Sequence, residues 1–449
     1  MIIEEVRQPF DSFIGFVGVS LSLQAMPLLV GFGAVCVIIH KVLFSSVPIR
    51  LRLAILVIVL APFNNPAFSL GGVALSDAFG LLLVVLSVFR PSNVIGGDNL
   101  VIKQLPFYLL LVASFIGFVL SFFLGYSPVL GDVDAAKIFL FSNLRLVVAF
   151  LAGSALFLSV RSPANSLFVI RVLTIAVFSI LLSQLIGYLV ILVFGVFPFG
   201  TFETAGFAPI PSFGAVSHER GHLGRLISFF PALLLLVSEN IPSRLLRSSL
   251  RIPLLFVVGA SCFSILLTFS GSSYGLMAAF LGVSLFTSLA ISLGRLKFSR
   301  VAVTSIFAIL LACLVLLYCF PVVVDGLIAV IGKTLGFLFL GDGGDVRSIR
   351  SALDTQTLRA FGIGFYGSFG RDLTEVSATD LGIGVGPAYF GVFYFLFIVT
   401  ILFLAARSLI KSDTVFLPVR AGAIAQFVLF YVAETSFGQY PAVAMWFLI

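Results

Sequence analysis

Charge is what this chain has least of. Asp, Glu, Lys and Arg make up 10% of its 449 residues, too few to solvate a water-soluble fold of that length, where about a quarter is usual. Histidine occurs three times and tryptophan once. The four cysteines, Cys36, Cys262, Cys313 and Cys319, all lie inside apolar stretches and read as small packing residues, which predicts neither a disulfide nor a cysteine metal site. No polar linker, repeat or low-complexity tract divides the chain, so one domain is expected over residues 1–449. The opening MIIEEVRQPFDSF has neither the basic leader nor the small-residue cleavage site of a removable signal. Insertion is therefore expected through the first helices themselves.

What is present is apolar. The hydrophobic fraction is 60% and the mean hydropathy +1.21, with runs of about 20 residues recurring from end to end, each long enough to cross a bilayer as a helix. The runs are continuous rather than alternating, which excludes a β-barrel pattern. The expectation is an all-α polytopic integral membrane protein with about 12 transmembrane helices (range ~11–13). Region 13–44 is long for one helix and short for two, with a break expected at 24–27. Runs 53–70 and 72–89 form a hairpin turning at Asn64, Asn65 and Pro66. Crossings follow at 105–124, 137–160, 166–197, 223–237, 252–269, 274–293, 301–320, 381–406 and 415–435, and a last apolar run reaches residue 449 either as part of a helix or as a dip into the bilayer. The net charge of +7 marks a membrane face rather than a nucleic-acid surface. Loops 41–52, 90–103, 161–165, 239–251, 294–300 and 407–420 each hold more Lys and Arg than Asp and Glu, and this threading puts them all on the cytoplasmic side. The loop at 198–222 and the long hydrophilic segment 321–380 then share the outer face.

Against this background one stretch is conspicuous. Residues 212–231 (SFGAVSHERGHLGRLISFFP) carry two of the three histidines, a glutamate and two arginines where a helix meets water, and such groups are costly near lipid. His218, Glu219 and His222 spell H-E-x-x-H, the pattern of a zinc protease. Arg220 would put a fixed cation beside the metal, Gly221 weakens the helix that aligns the ligands, and no third ligand stands near, so no metal is expected. The same residues also read as an anion site beside a base. Arg220 and Arg225 suit a phosphate or pyrophosphate at the start of the helix from Leu223, and Glu219 or His222 can take a proton from an attacking hydroxyl. The alternative is interfacial pairing of Glu219 with Arg220 or Arg225.

The long outer segment adds cations at Arg347 and Arg350, three apart and on one face of a helix, followed by Arg359 and Arg371. Asp380 stands where the next membrane helix begins, as a cap or a catalytic carboxylate. Within the bilayer, Asp77 and Arg145 lie ~7 and ~12 Å below the outer surface at 1.5 Å per residue, close enough in depth for a salt bridge. Arg145 is alternatively a further anion ligand, and Glu434 is a weaker candidate.

Three stretches resemble the bacterial polysaccharide polymerase and O-antigen ligase superfamily, the Wzy-type proteins. Glu219, Arg220, Gly221, His222, Leu223 and Gly224 are similar to the family's Glu-Pro-Gly-His-x-Gly/Ala segment, with Arg220 in place of proline. Leu267, Thr268, Phe269, Ser270, Gly271, Ser272, Ser273 and Tyr274 resemble its Leu-Thr-x-Ser-Arg opening of an outer-end helix, with Gly271 where the family has arginine. Residues 350–395, with an arginine, the turn at Gly362 and Gly364 and a Gly-rich membrane helix, resemble the family's large outer loop; Thr379 and Asp380 stand where ligases have His-Asn. The resemblance implies a GT-C-like architecture and a metal-independent glycosyltransferase without cofactors, in the bacterial inner membrane with its site facing the periplasm. It joins a glycan on undecaprenyl pyrophosphate to the hydroxyl of another lipid-linked repeat unit, with membrane lipids and a chain-length co-polymerase as partners and no nucleic acid. Arg220, Arg225, Arg347, Arg350, Arg359 and Arg145 are then the pyrophosphate ligands, and Glu219, His222 or Asp380 the base. An O-antigen ligase, a lipid-linked sugar flippase and a membrane zinc protease are the competing readings.

Overall fold

The computed structural model describes residues 13–64, 68–70, 73–89, 98–124, 133–194, 202–205, 208–211, 220–242, 244–246, 252–268, 270–294, 390–410, 412–433 and 438–449. Apart from turns and two short antiparallel hairpins, the protein is helical over these residues. Six helices among them are long and apolar enough to cross a membrane: Ala25–Leu43, Leu100–Gly117, Leu140–Ser159, Pro163–Val190, Ser273–Ser292 and Val392–Ile410. The all-α membrane class expected from composition is what is observed. The run 301–320 and the loop 321–380, with Arg347, Arg350, Arg359 and Asp380, lie outside the described residues.

In chain order the helices are α1 (Phe13–Leu43), α2 (Ile49–Leu60), α3 (Leu75–Phe89), α4 (Asp98–Leu124), α5 (Val133–Ser159), α6 (Pro163–Phe194), α7 (Arg220–Ser228), α8 (Phe230–Ser238), α9 (Leu254–Leu266), α10 (Gly271–Gly294), α11 (Val392–Ile410), α12 (Leu417–Ala433) and α13 (Tyr440–Leu448). Strands β1 (Ser69–Leu70) and β2 (Val73–Ala74) close the hairpin between α2 and α3, and β3 (Phe202–Ala205) pairs with β4 (Ala208–Pro211) where only a loop is expected.

Two largely buried helices, α2 and α13, form the centre. Every residue of α13 is buried, as are nine of the twelve in α2. α13 packs against α5 and α8, and α2 against α3 and α5. Lipid offers no hydrophobic drive between helices, so close approach and interhelical hydrogen bonds must hold them. α10 and α12 meet at Gly422, where a Cβ would fall 2.4 Å from the Phe280 carbonyl oxygen; only glycine permits that approach. Between α6 and α9 the Gln184 amide donates to the Ser264 carbonyl (3.1 Å), and Ser264 Oγ donates to Gln184 Oε1 (2.5 Å).

One expectation is corrected and another refined. α1 runs without interruption through 24–27, with Pro27 inside it; Ser183 Oγ of α6 donates to the Pro27 carbonyl at 2.8 Å. The run expected at 223–237 is an apolar helix, His222–Ser238, interrupted only at Phe229, where α7 passes into α8. Pro231 has no N–H to continue the ladder, and the Ser228 carbonyl accepts from Gln426 Nε2 of α12 at 2.8 Å.

Candidate functional site

α7 and α13 both begin at one end of the bundle. At the other end α8 stops at Glu239, which pairs with Arg420 (2.8 Å), and Arg420 in turn donates to the Ile449 carbonyl (3.2 Å) just past α13. The first end therefore gathers the starts of α3, α7, α10 and α13, and the second holds Lys103, Arg161, Glu239 and Arg420. From the second end α13 rises about 13 Å, whereas α8 and α7 together rise about 28 Å at 1.5 Å per residue, so Tyr440 stands deeper in the bundle than Arg220.

At the first end α7 lies against the corner between α9 and α10. The corner is held by its own hydrogen bonds. Thr268 Oγ1 donates to the Ile265 carbonyl (2.7 Å), Tyr274 Oη to the Leu266 carbonyl (2.6 Å), and the Tyr274 N–H to the Ser270 carbonyl (3.1 Å). The gap between the crossings expected at 252–269 and 274–293 is already helical from Gly271. Gly224 of α7 fits against this corner with no space for a side chain: a Cβ there would lie 2.2 Å from Ser273 Oγ, 2.7 Å from Thr268 Oγ1 and 2.9 Å from Ser273 Cβ. Two stretches more than forty residues apart in sequence are thus in direct contact. His222 and Arg225, on the same short helix, are half-buried. Arg220 opens the helix, whereas His218 and Glu219 lie outside the described residues, as does Glu434.

A second cluster stands on the same side, deeper in the bundle. Asp77, in the first turn of α3, accepts from Arg145 of α5 at Oδ2, from Nη2 at 2.6 Å and from Nε at 3.1 Å. Its other oxygen, Oδ1, accepts the hydroxyl of Tyr440, the first residue of α13. The pair expected from depth is formed, and it is organised as a triad. One carboxylate takes three donors, so Arg145 is fixed by one edge. Among the described residues its Nη1 has no partner, and the side chain is 58% exposed against 18% for Asp77. A guanidinium held on one side and open on the other is suited to an anion that arrives from outside.

Tyr440 is the residue sequence reasoning missed. Its only signal was position, a tyrosine opening a Pro-containing apolar run, and its role depends on α13 lying beside α3 and α5. Among the described residues no three His, Cys, Asp or Glu side chains come together as a metal would need. α13 touches α7 as well as α5, so one buried helix connects the triad with the Gly224 corner. No family model, no curated protein and no solved structure matches the chain.

Proposed function

We propose that the protein is a polysaccharide polymerase of about 12 membrane helices with GT-C-like architecture. It transfers a glycan from undecaprenyl pyrophosphate to a hydroxyl of a second lipid-linked repeat unit on the periplasmic face of the bacterial inner membrane. The observation that carries the reading is the seating of Gly224 against Thr268 and Ser273, because these belong to two of the stretches that resemble the Wzy-type family.

In the reaction the acceptor hydroxyl attacks the anomeric carbon, the bond from that carbon to the pyrophosphate oxygen breaks, and the hydroxyl proton passes to a base. Undecaprenyl pyrophosphate leaves with the electron pair. The chemistry needs a proton acceptor, for which Glu219, His222 and Asp380 are the candidates. It also needs cations where charge grows on the leaving group. Arg220 and Arg225 supply these from α7, Arg347, Arg350 and Arg359 from the long loop, and Arg145 from the membrane side. Arginine's planar fork suits pyrophosphate better than lysine's point charge. The excess of Lys and Arg in the loops of the opposite face supports an outer location for this end by the positive-inside rule.

Complementation of a strain lacking its polymerase tests the assignment, with glycan length read on a gel. The wild-type chain is expected to restore long polymers, and Arg225→Ala to leave single repeats at normal membrane abundance. Restored long polymers in Arg225→Ala remove that arginine from the site. No restoration by the wild type in any host, together with transfer of polymer to the lipid A core, makes the protein a ligase.

A further inference from the structure

The end of the bundle opposite the candidate site holds cations that the proposed reaction does not use. Lys103 Nζ stands 4.5 Å from the centroid of the Phe157 ring, and the Arg161 guanidinium carbon 5.1 Å from the same centroid. Sharing one ring bounds the separation of the two charges at under about 10 Å. Three elements build the arrangement: Lys103 lies near the start of α4, Phe157 near the end of α5, and Arg161 in the turn that leads to α6.

Lys103 is fixed in place. Its Nζ donates to the Phe447 carbonyl at 2.8 Å, and its own carbonyl accepts from Trp446 Nε1 at 3.0 Å. Two further donors remain on the ammonium. Glu239, the carboxylate at this end, is already bound by Arg420 through two nitrogens, at 2.8 and 3.3 Å. Among the described residues neither Lys103 nor Arg161 has a carboxylate partner. Two neighbouring basic side chains, one anchored and one exposed, thus share the Phe157 ring.

We propose that Lys103 and Arg161 form a phosphate-binding site that takes the phosphodiester of an anionic glycerophospholipid at this membrane face. A phosphate accepting one charge-assisted hydrogen bond of about 2.8 Å from each group spans a separation within that bound. The depth selects a lipid over a soluble ion. Lys103 is three residues inside the apolar span that opens at Leu100, about 4.5 Å along the helix, so its ammonium sits at the hydrocarbon boundary. Lipid phosphates occupy that level, and basic pockets between membrane helices bind such headgroups.

The test uses the purified full chain in phospholipid-free detergent. Phosphatidylglycerol, phosphatidylcholine and inorganic phosphate are added separately, with bound lipid read by native mass spectrometry and stability by thermal unfolding. Phosphatidylglycerol is expected to be retained and to raise the melting temperature, whereas phosphatidylcholine is not. Arg161→Gln, an exposed position that the fold tolerates, is expected to weaken phosphatidylglycerol about fivefold, matching about 1 kcal/mol per basic residue at a membrane surface. The equally exposed Arg407→Gln is expected to leave retention unchanged. Inorganic phosphate that protects as well as the lipid and competes with it keeps the phosphate site and reassigns its source to a soluble ion. Equal retention of the two lipids, or retention in Arg161→Gln equal to wild type, overturns the proposal.

Discussion

Arg420→Ala is expected to destabilise the bundle by about 3–5 kcal/mol, the usual result of leaving one member of a buried ion pair alone. The Arg420 guanidinium binds both oxygens of Glu239, at 2.8 and 3.3 Å, and its third nitrogen donates to Ser408 Oγ (3.3 Å) and the Ile449 carbonyl (3.2 Å). Those contacts join α8, α11, α12 and the end of α13. Glu239 and Arg420 are only 18% and 20% exposed, so solvent screens the pair little. Truncation leaves a half-buried carboxylate and removes a donor from the end of the helix at the centre of the core. Thermal unfolding in detergent measures the loss. The double variant Glu239→Gln with Arg420→Met is expected to recover most of it, because no lone charge then remains; a double variant as unstable as Arg420→Ala would show that the backbone and Ser408 contacts dominate.

The second large effect concerns activity. Gly224→Ala places a methyl group 2.9 Å from Ser273 Cβ and 2.2 Å from its hydroxyl, distances that real Cβ contacts do not sustain. α7 must therefore move away from the α9–α10 corner, carrying Arg220, His222 and Arg225 with it. A displacement of about 1 Å in groups that position a reaction costs on the order of 10²-fold in rate. Polymer formation by Gly224→Ala membranes is expected to fall by that order at unchanged protein abundance. Adding Ser273→Gly removes both clashing Ser273 atoms and leaves only Thr268 Oγ1, at 2.7 Å, so the double variant is expected to regain part of the activity. A single variant as active as wild type would detach the Gly224 corner from function.

Much of this arrangement can be read from the sequence, and the reasons differ from residue to residue. Membrane class follows from continuous apolar runs, since only helices satisfy the backbone in lipid. The Asp77–Arg145 pair follows from depth alone: two opposite charges at similar heights in a medium hostile to both. Contacts that join distant segments leave no such trace. The break between α7 and α8 is held by Gln426, almost two hundred residues from the Ser228 carbonyl it serves, and Pro231 by itself fits a kink or a helix start equally well. Tyr440 looks like any aromatic at a membrane interface until α13 is placed beside α3. Pro27 suggested a break that the structure does not have, because membrane helices tolerate proline when neighbours compensate. Of the candidate ligands, Arg145, Arg220, His222 and Arg225 fall at one end of the bundle, while Arg347, Arg350, Arg359 and Asp380 belong to the segment outside the described residues.

The central claim is that this end of the bundle binds a lipid-linked pyrophosphate and releases it during glycan transfer. Reconstitution of the purified chain in lipid nanodiscs with undecaprenyl-pyrophosphate-linked repeat units, in the presence of a metal chelator, tests it most directly. Glycan length and free undecaprenyl pyrophosphate are measured together. The prediction is a ladder of lengthening glycans with one undecaprenyl pyrophosphate released per bond formed, both lost in Arg225→Ala. Intact repeat units with no release, under conditions where the chain is folded, would contradict it.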